Sequence, residues 1–213
     1  MTFILSKYQE ICQLLRDNNS TATIIAVSKT RPVEDIKEAL QTGVRHFGET
    51  KVQEAFEKFA ILTKDYKDLV LHMIGTLQTN KVKKALQVFD FFHSLDRESL
   101  AKEFSKHPKL ISDKFFFIQV NTGLEKQKSG IQPSLTSEFL HYCSYDLKLK
   151  IVGLMCLPPI NENPKEHFLM LRDLALKNNL KQLSIGMSSD YKTAIQCDAT
   201  FIRLGSCLFG ERK

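Results

Sequence analysis

Short apolar runs alternate with longer amphipathic stretches from one end of this chain to the other. The runs at 22–28, 44–47, 69–74, 89–93, 114–120, 149–156, 182–186 and 200–204 are β-branched, aromatic or leucine-rich, and their lengths predict buried strands. Between them, residues 33–42, 50–64, 79–87, 97–106, 132–144, 164–178 and 190–196 place apolar side chains three and four apart, which predicts helices with one buried face. The residues up to Leu15 read as an amphipathic opening helix. Strand then helix, repeated with short links, is the pattern of parallel βαβ units. Eight such units predict an α/β fold, a closed (β/α)8 TIM barrel. An open doubly wound sheet is the structural alternative, but no G-x-G-x-x-G follows the first strand. No linker, low-complexity segment or repeat interrupts the pattern, so residues 1–213 are expected to form one domain.

In a barrel, function gathers at the carboxyl ends of the strands. Those ends are unusually polar here: Ser28-Lys29-Thr30, Phe47-Gly48-Glu49, His72 to Gly75, His93 to Asp96, Gln119 to Asn121, Gly186 to Asp190 and Arg203 to Ser206. Lys29 closes an apolar strand and is stopped by Arg31-Pro32. Desolvation at such a position can lower a lysine's charge and make its amine a nucleophile. Snorkelling to solvent is the plainer reading of the same residue, and from that segment alone it ranks first.

Composition narrows the partners. The chain is 43% hydrophobic and 25% charged, and no apolar stretch is long enough to span a bilayer. Its first residues lack the apolar core and cleavage site of a signal peptide, so a cytoplasmic location is expected, with no membrane partner. Five scattered cysteines without a C-x-x-C pair argue for reduced thiols, and neither they nor the six histidines show metal-ligand spacing. The net charge of +6 comes from lysines set beside Glu or Asp along the helices. No basic stripe with interleaved aromatics is present, so no nucleic-acid partner is expected. The charge does favour a small anion.

Two turns could hold that anion. Gly186-Met187-Ser188-Ser189-Asp190 leads into a helix, and Arg203-Leu204-Gly205-Ser206 offers hydroxyls and a backbone open to close approach. Phosphate sites in barrels recur after strands seven and eight. Helix capping by Ser188, Ser189 or Asp190 is the competing explanation. A phosphate cradle opposite a strand-end lysine suggests an aldehyde-bearing phosphate, pyridoxal 5′-phosphate (PLP), joined to Lys29 as a Schiff base. Arg203 could then face the pyridine nitrogen, or it could form a rim ion pair with Glu49 or Glu211. His72 could stack near the ring or be a satisfied rim residue. Asn121 could bond the cofactor or cap its own turn, and Met187 reads as packing.

The segments AVSKT (26–30), HFGE (46–49), HMIGTLQTNK (72–81), HSLDR (93–97), QVNTGLEKQKSGI (119–131), GLM (153–155), GMSSDYKTAI (186–195) and RLGSCLFGER (203–212) resemble, in order, those of the pyridoxal phosphate homeostasis protein family. The resemblance covers nearly the whole chain. It implies a monomeric barrel of the alanine-racemase type, fold type III among PLP proteins. It makes Lys29 the Schiff-base lysine, Ser188, Gly205 and Ser206 phosphate ligands, and Arg203 the arginine near the pyridine nitrogen. His72, Asn121 and Met187 are kept beside these as candidate cofactor neighbours on their strand-end and turn positions. Thr50 stands where the family usually has Asn, and Cys207 where a small residue is usual.

The resemblance also implies a binder that buffers PLP or delivers it to PLP-dependent apoenzymes, without robust catalysis. The alternative is an amino-acid racemase of fold type III. Such racemases use a tyrosine base held with a second, β-rich domain across a dimer, and two-base proton transfer needs that tyrosine. This chain ends soon after its eighth strand, and Tyr8, Tyr66, Tyr142, Tyr145 and Tyr191 all fall on helices or their starts. No catalytic residue is therefore assigned.

Overall fold

The computed structural model describes residues 3–211; Met1, Thr2, Arg212 and Lys213, including the last arginine of the RLGSCLFGER segment, lie outside the described residues. Eight parallel strands close into a barrel in sequence order, with β8 (Phe201–Leu204) hydrogen-bonded back to β1 (Thr23–Val27). The others are β2 (His46–Glu49), β3 (Val70–Met73), β4 (Phe91–Leu95), β5 (Phe115–Val120), β6 (Ile151–Cys156) and β7 (Gln182–Ser184). An opening helix, α1 (Leu5–Asp17), precedes β1. The outer helices are α2 (Val33–Gln41), α3 (Val52–Asp65), α4 (Val82–Ala85), α5 (Glu98–Ser105), α6 (Pro108–Ile111), α7 (Thr136–His141), α8 (Pro164–Lys177), α9 (Tyr191–Gln196) and α10 (Ser206–Phe209).

Each strand is buried on both faces, which is why these runs read as continuous apolar segments. Along β5, Phe116, Ile118 and Val120 pack outward against helices, while Phe117 turns into the barrel. The interior holds Ile25, Phe117, Met155 and Phe201. Two imidazoles share this interior: His72 stacks on Phe91 at 4.7 Å and His93 on Phe117 at 4.4 Å.

Strands β2 and β4 both lie two residues later than the hydrophobic runs predict. Their late residues are polar, yet buried with partners that no local pattern reveals. Glu49 is paired with Lys58, and Ser94 donates to the Gly75 carbonyl. The helix predicted at 132–144 is broken into a 3-10 turn at Pro133–Leu135, α7, and a π turn at Tyr142–Asp146. Among the described residues no helix is long and apolar enough to cross a membrane.

Candidate functional site

Lys29 sits in a short loop whose flanks are fixed by a buried ionic cluster. Ser28 is fully buried; its amide donates to the Gly48 carbonyl at 3.0 Å and its hydroxyl to Glu49 Oε1 at 2.8 Å. Lys58, on the inner face of α3, donates to the Ser28 carbonyl at 2.8 Å, to Glu49 at 3.0 Å and to Glu54 at 2.6 Å. Glu54 also accepts the Thr30 amide, where the backbone takes the left-handed φ of 64°. Lys29 is thus bracketed by two anchored residues, and a non-glycine residue at positive φ persists because its surroundings hold it. Burial pushes the Glu49 carboxyl above its ordinary range, offset by Lys58 and the Ser28 hydroxyl. Its second oxygen, Oε2, is buried without a hydrogen-bond partner.

Arg203, on β8, lies with only 4% of its surface exposed. One terminal nitrogen donates to both the carbonyl and the hydroxyl of Ser184 at 2.6 Å, and the other donates to the Cys156 carbonyl at 3.0 Å. Burial pulls its pKa down to about 10, still well above neutrality, so the guanidinium keeps its charge. Its acceptors are neutral oxygens rather than carboxylates. Glu49 is committed to Lys58, and among the described residues Arg203 shows no ion pair with Glu49 or Glu211; neutral oxygens take the place of the rim ion pair open to it in the sequence.

The two turns meet through Ser188. Its hydroxyl accepts the amides of Gly205 and Cys207 at 3.3 and 3.4 Å and lies 3.4 Å from the Cys207 sulfur. Asp190 closes the first turn by accepting the Met187 amide at 2.6 Å, rather than by capping α9. Gly186 has φ +88°, and a Cβ there would lie 2.6 Å from that of Ala194. Gly205 has no such conflict; its nearest neighbour would be Val27 Cβ at 3.5 Å.

A cavity of about 430 Å³ opens between these elements. Lys29, Met187, Ser188, Arg203, Gly205 and Ser206 all line it, which brings together six of the sequence-predicted site residues. His72 and Asn121 do not line it. His72 is fully buried inside the barrel between His46 and His93, each 2.9 Å away, because its strand directs it inward below the mouth. Asn121 spends its amide on the Glu125 carbonyl at 2.9 Å and accepts the Glu125 amide at 3.2 Å, so it shapes its own turn. Arg31, Ile74 and Leu157 complete walls that sequence reasoning missed, and Thr50 faces the cavity as well. Lys58 had a legible signal: it falls on the buried face of α3 with Ala55, Phe59 and Leu62. Ser184 had none.

Parallel eight-stranded closure, with the candidate site at the carboxyl ends, defines the class: a (β/α)8 barrel with its cavity at the strand ends. The model of the alanine racemase N-terminal domain matches residues 4–213, and this chain belongs to that family. The pyridoxal phosphate homeostasis protein of Aquifex aeolicus is 39% identical over 222 residues, covering 99% of this chain and 96% of that protein. PipY of Synechococcus elongatus, solved without PLP, superposes with a TM-score of 0.88 at 35% identity, over 96% of this chain and 99% of PipY. PipY with PLP bound gives 0.79 at 33% identity, over 94% and 100%. Alanine racemase from Acinetobacter baumannii shares the fold, with a TM-score of 0.76 at 14% identity, over 99% of this chain and 63% of the racemase.

Proposed function

We propose that this protein binds PLP in the cavity at the barrel mouth and serves PLP homeostasis, holding or delivering the cofactor without robust catalysis. One observation carries the reading: a single cavity is lined at once by Lys29, by Arg203 and by the Ser188 and Gly205-Ser206 turns. The donor set fits the cofactor. Serine hydroxyls and turn amides suit a phosphate, a half-buried amine suits an aldehyde, and a charged guanidinium suits a pyridine nitrogen acceptor.

When bound, PLP supplies an electrophilic carbonyl and a ring able to take up electron density. Lys29 would hold the cofactor through its side-chain amine, as a Schiff base. Ser188, Ser206 and Gly205 would hold the phosphate, with Met187 packing beside it. Arg203, which keeps its own proton, would face the pyridine nitrogen without protonating it and so weaken the electron sink. His72 and Asn121 lie outside this lining, His72 in the barrel interior and Asn121 in its own turn.

The holder reading is favoured over a racemase by the relatives named as pyridoxal phosphate homeostasis proteins. Five free cysteines fit a reducing cytoplasm, and we read the chain as a single-domain monomer that hands PLP to PLP-dependent apoenzymes. Borohydride reduction of the PLP-loaded protein, followed by peptide mapping, tests the central assignment. Pyridoxyl label on Lys29 is expected; label elsewhere, or none, overturns it. Racemisation of alanine, serine or glutamate that is lost in Lys29→Ala would overturn the non-catalytic reading, and light scattering checks the monomer.

A further inference from the structure

A line of side chains crosses the barrel from its amino-terminal rim to the floor of the candidate cavity. His46 Nδ1 lies 2.9 Å from His72 Nε2, and His72 Nδ1 lies 2.9 Å from His93 Nε2. His93 Nδ1 lies 2.8 Å from the Ser184 hydroxyl, which is 2.6 Å from an Arg203 nitrogen. The five residues come from β2, β3, β4, β7 and β8; neighbouring strands make three of the links, and the curvature of the closed barrel brings His93 of β4 to Ser184 of β7. His72, His93 and Ser184 are fully buried. At the lower end, half-buried His46 lines a small cavity of about 220 Å³ with Tyr8, Cys12 and Arg45. At the upper end, Arg203 lines the PLP cavity.

The proton positions in this line follow from one fixed point. A guanidinium only donates, so Ser184 Oγ accepts from Arg203. The single hydroxyl proton of Ser184, buried away from water, then goes to its remaining partner, His93 Nδ1. His93 must therefore carry its proton on Nε2 and donate to His72 Nδ1. By the same rule His72 carries its proton on Nε2 and donates to His46 Nδ1. Every donor has an acceptor only if all three imidazoles are neutral and share the Nε2–H tautomer. A proton added to either buried ring would set two donors face to face. Burial and the neighbouring rings hold His72 well below the usual histidine range, and burial with the Arg203 charge does the same for His93.

We propose that His46, His72, His93 and Ser184 form a one-directional hydrogen-bonded relay that positions the Arg203 guanidinium at the cavity floor. They are positioning residues: none but Arg203 lines the cavity. The relay fixes Ser184 Oγ as an acceptor toward Arg203, so this guanidinium nitrogen is committed downward and sideways to β7. What the arginine presents to the cavity is then set by residues up to a barrel's depth away. The tautomer assignment stands without any cofactor, whereas its consequence for PLP rests on the binding reading above.

The experiment has two arms. In ligand-free protein, 15N NMR of the imidazoles at pH 7.5 should show His72 and His93 neutral with the proton on Nε2. A cationic ring or an Nδ1–H tautomer at either residue overturns the relay, whatever the cofactor does. In the second arm, His93→Phe retains the ring stacking on Phe117 but neither hydrogen bond, while His93→Gln can still accept at one end and donate at the other. His93→Phe should weaken PLP binding by up to about tenfold, the worth of one neutral hydrogen bond at the upper end of its range, and shift the absorption of bound PLP. His93→Gln should restore both measures most of the way to wild type. Equal behaviour of the two variants overturns the positioning role. If His93→Phe does not fold, Ser184→Ala takes its place: it keeps the carbonyl contact to Arg203 and should free the tautomers of all three rings in the NMR arm. Unchanged imidazole shifts there overturn the proposal. Pyridoxyl mapping to Lys29 is read separately, so failure of PLP binding is not confused with failure of the relay.

Discussion

Lys58 Nζ donates to the carbonyl of Ser28 at 2.8 Å, which ties helix α3 to the residue immediately before Lys29. The same ammonium compensates Glu49, whose side chain is wholly buried. Removing one partner of such a pair strands the other charge, which costs far more than the pair contributes. Lys58→Met should therefore lose about 3 kcal/mol of unfolding free energy in urea. Combining it with Glu49→Gln should recover a large part of that loss, because the stranded charge is gone. Simple additivity of the two variants would show that they do not act as a pair.

Gly186 and Gly205 should respond differently to alanine. At Gly186 the added methyl meets Ala194 at 2.6 Å on a backbone with φ +88°, so both sterics and strain oppose it. A loss of about 1–3 kcal/mol is expected by chemical denaturation. At Gly205 the methyl has ordinary contacts with Val27 on the cavity wall. Stability should stay within about 1 kcal/mol, while PLP affinity falls because the turn backbone can no longer be approached closely. A stability loss at Gly205 matching that at Gly186 would count against this assignment of roles.

Acid should unfold the protein through its buried imidazoles. His46, His72 and His93 are all held below the ordinary value of 6.5, chiefly by burial; Asp90 pulls His46 the other way, while Arg203 adds to the shift at His93. The unfolded chain takes up protons below 6.5 that the folded chain refuses. Stability is thus fully present above that pH and lost as pH falls below it. His72 and His93 together predict a slope of about 2.7 kcal/mol per pH unit at its steepest. Glu49, pushed up by burial, acts in the opposite sense at lower pH, so the test belongs just below 6.5. Urea titrations at pH 5.5, 6.5 and 7.5 measure it, and His93→Gln should flatten the slope by about half.

Thiol reactivity should report the phosphate turn. Cys143 and Cys156 are buried, with thiol pKa values pushed up to about 12 by desolvation, so iodoacetamide should spare them in the folded protein. Cys12 and Cys207 are only half-buried and should react first. Cys207 lies 3.4 Å from the Ser188 hydroxyl, so PLP should protect it and leave Cys12 unchanged. Equal labelling of Cys207 with and without PLP, read by mass spectrometry, would move the phosphate away from this turn.

The sequence by itself determined the eight strands, their parallel order and the residues at their carboxyl ends. These are local matters, because hydrophobic period and segment length are set by which faces are buried. It also supplied Lys29, Arg203 and the two turns, since a lysine ending an apolar strand and glycine-serine turns stand out without a partner in view. Only the tertiary structure decided how the polar residues within the strands are satisfied. His72 read as a rim residue and Ser184 carried no signal, yet both sit in the barrel core, joined through His93 to Arg203 by contacts between strands far apart in sequence. The two-residue displacement of β2 and β4 has the same origin. A buried Glu49 or Ser94 looks solvent-facing until Lys58 or the Gly75 carbonyl is placed beside it, and that placement is made by closing the barrel.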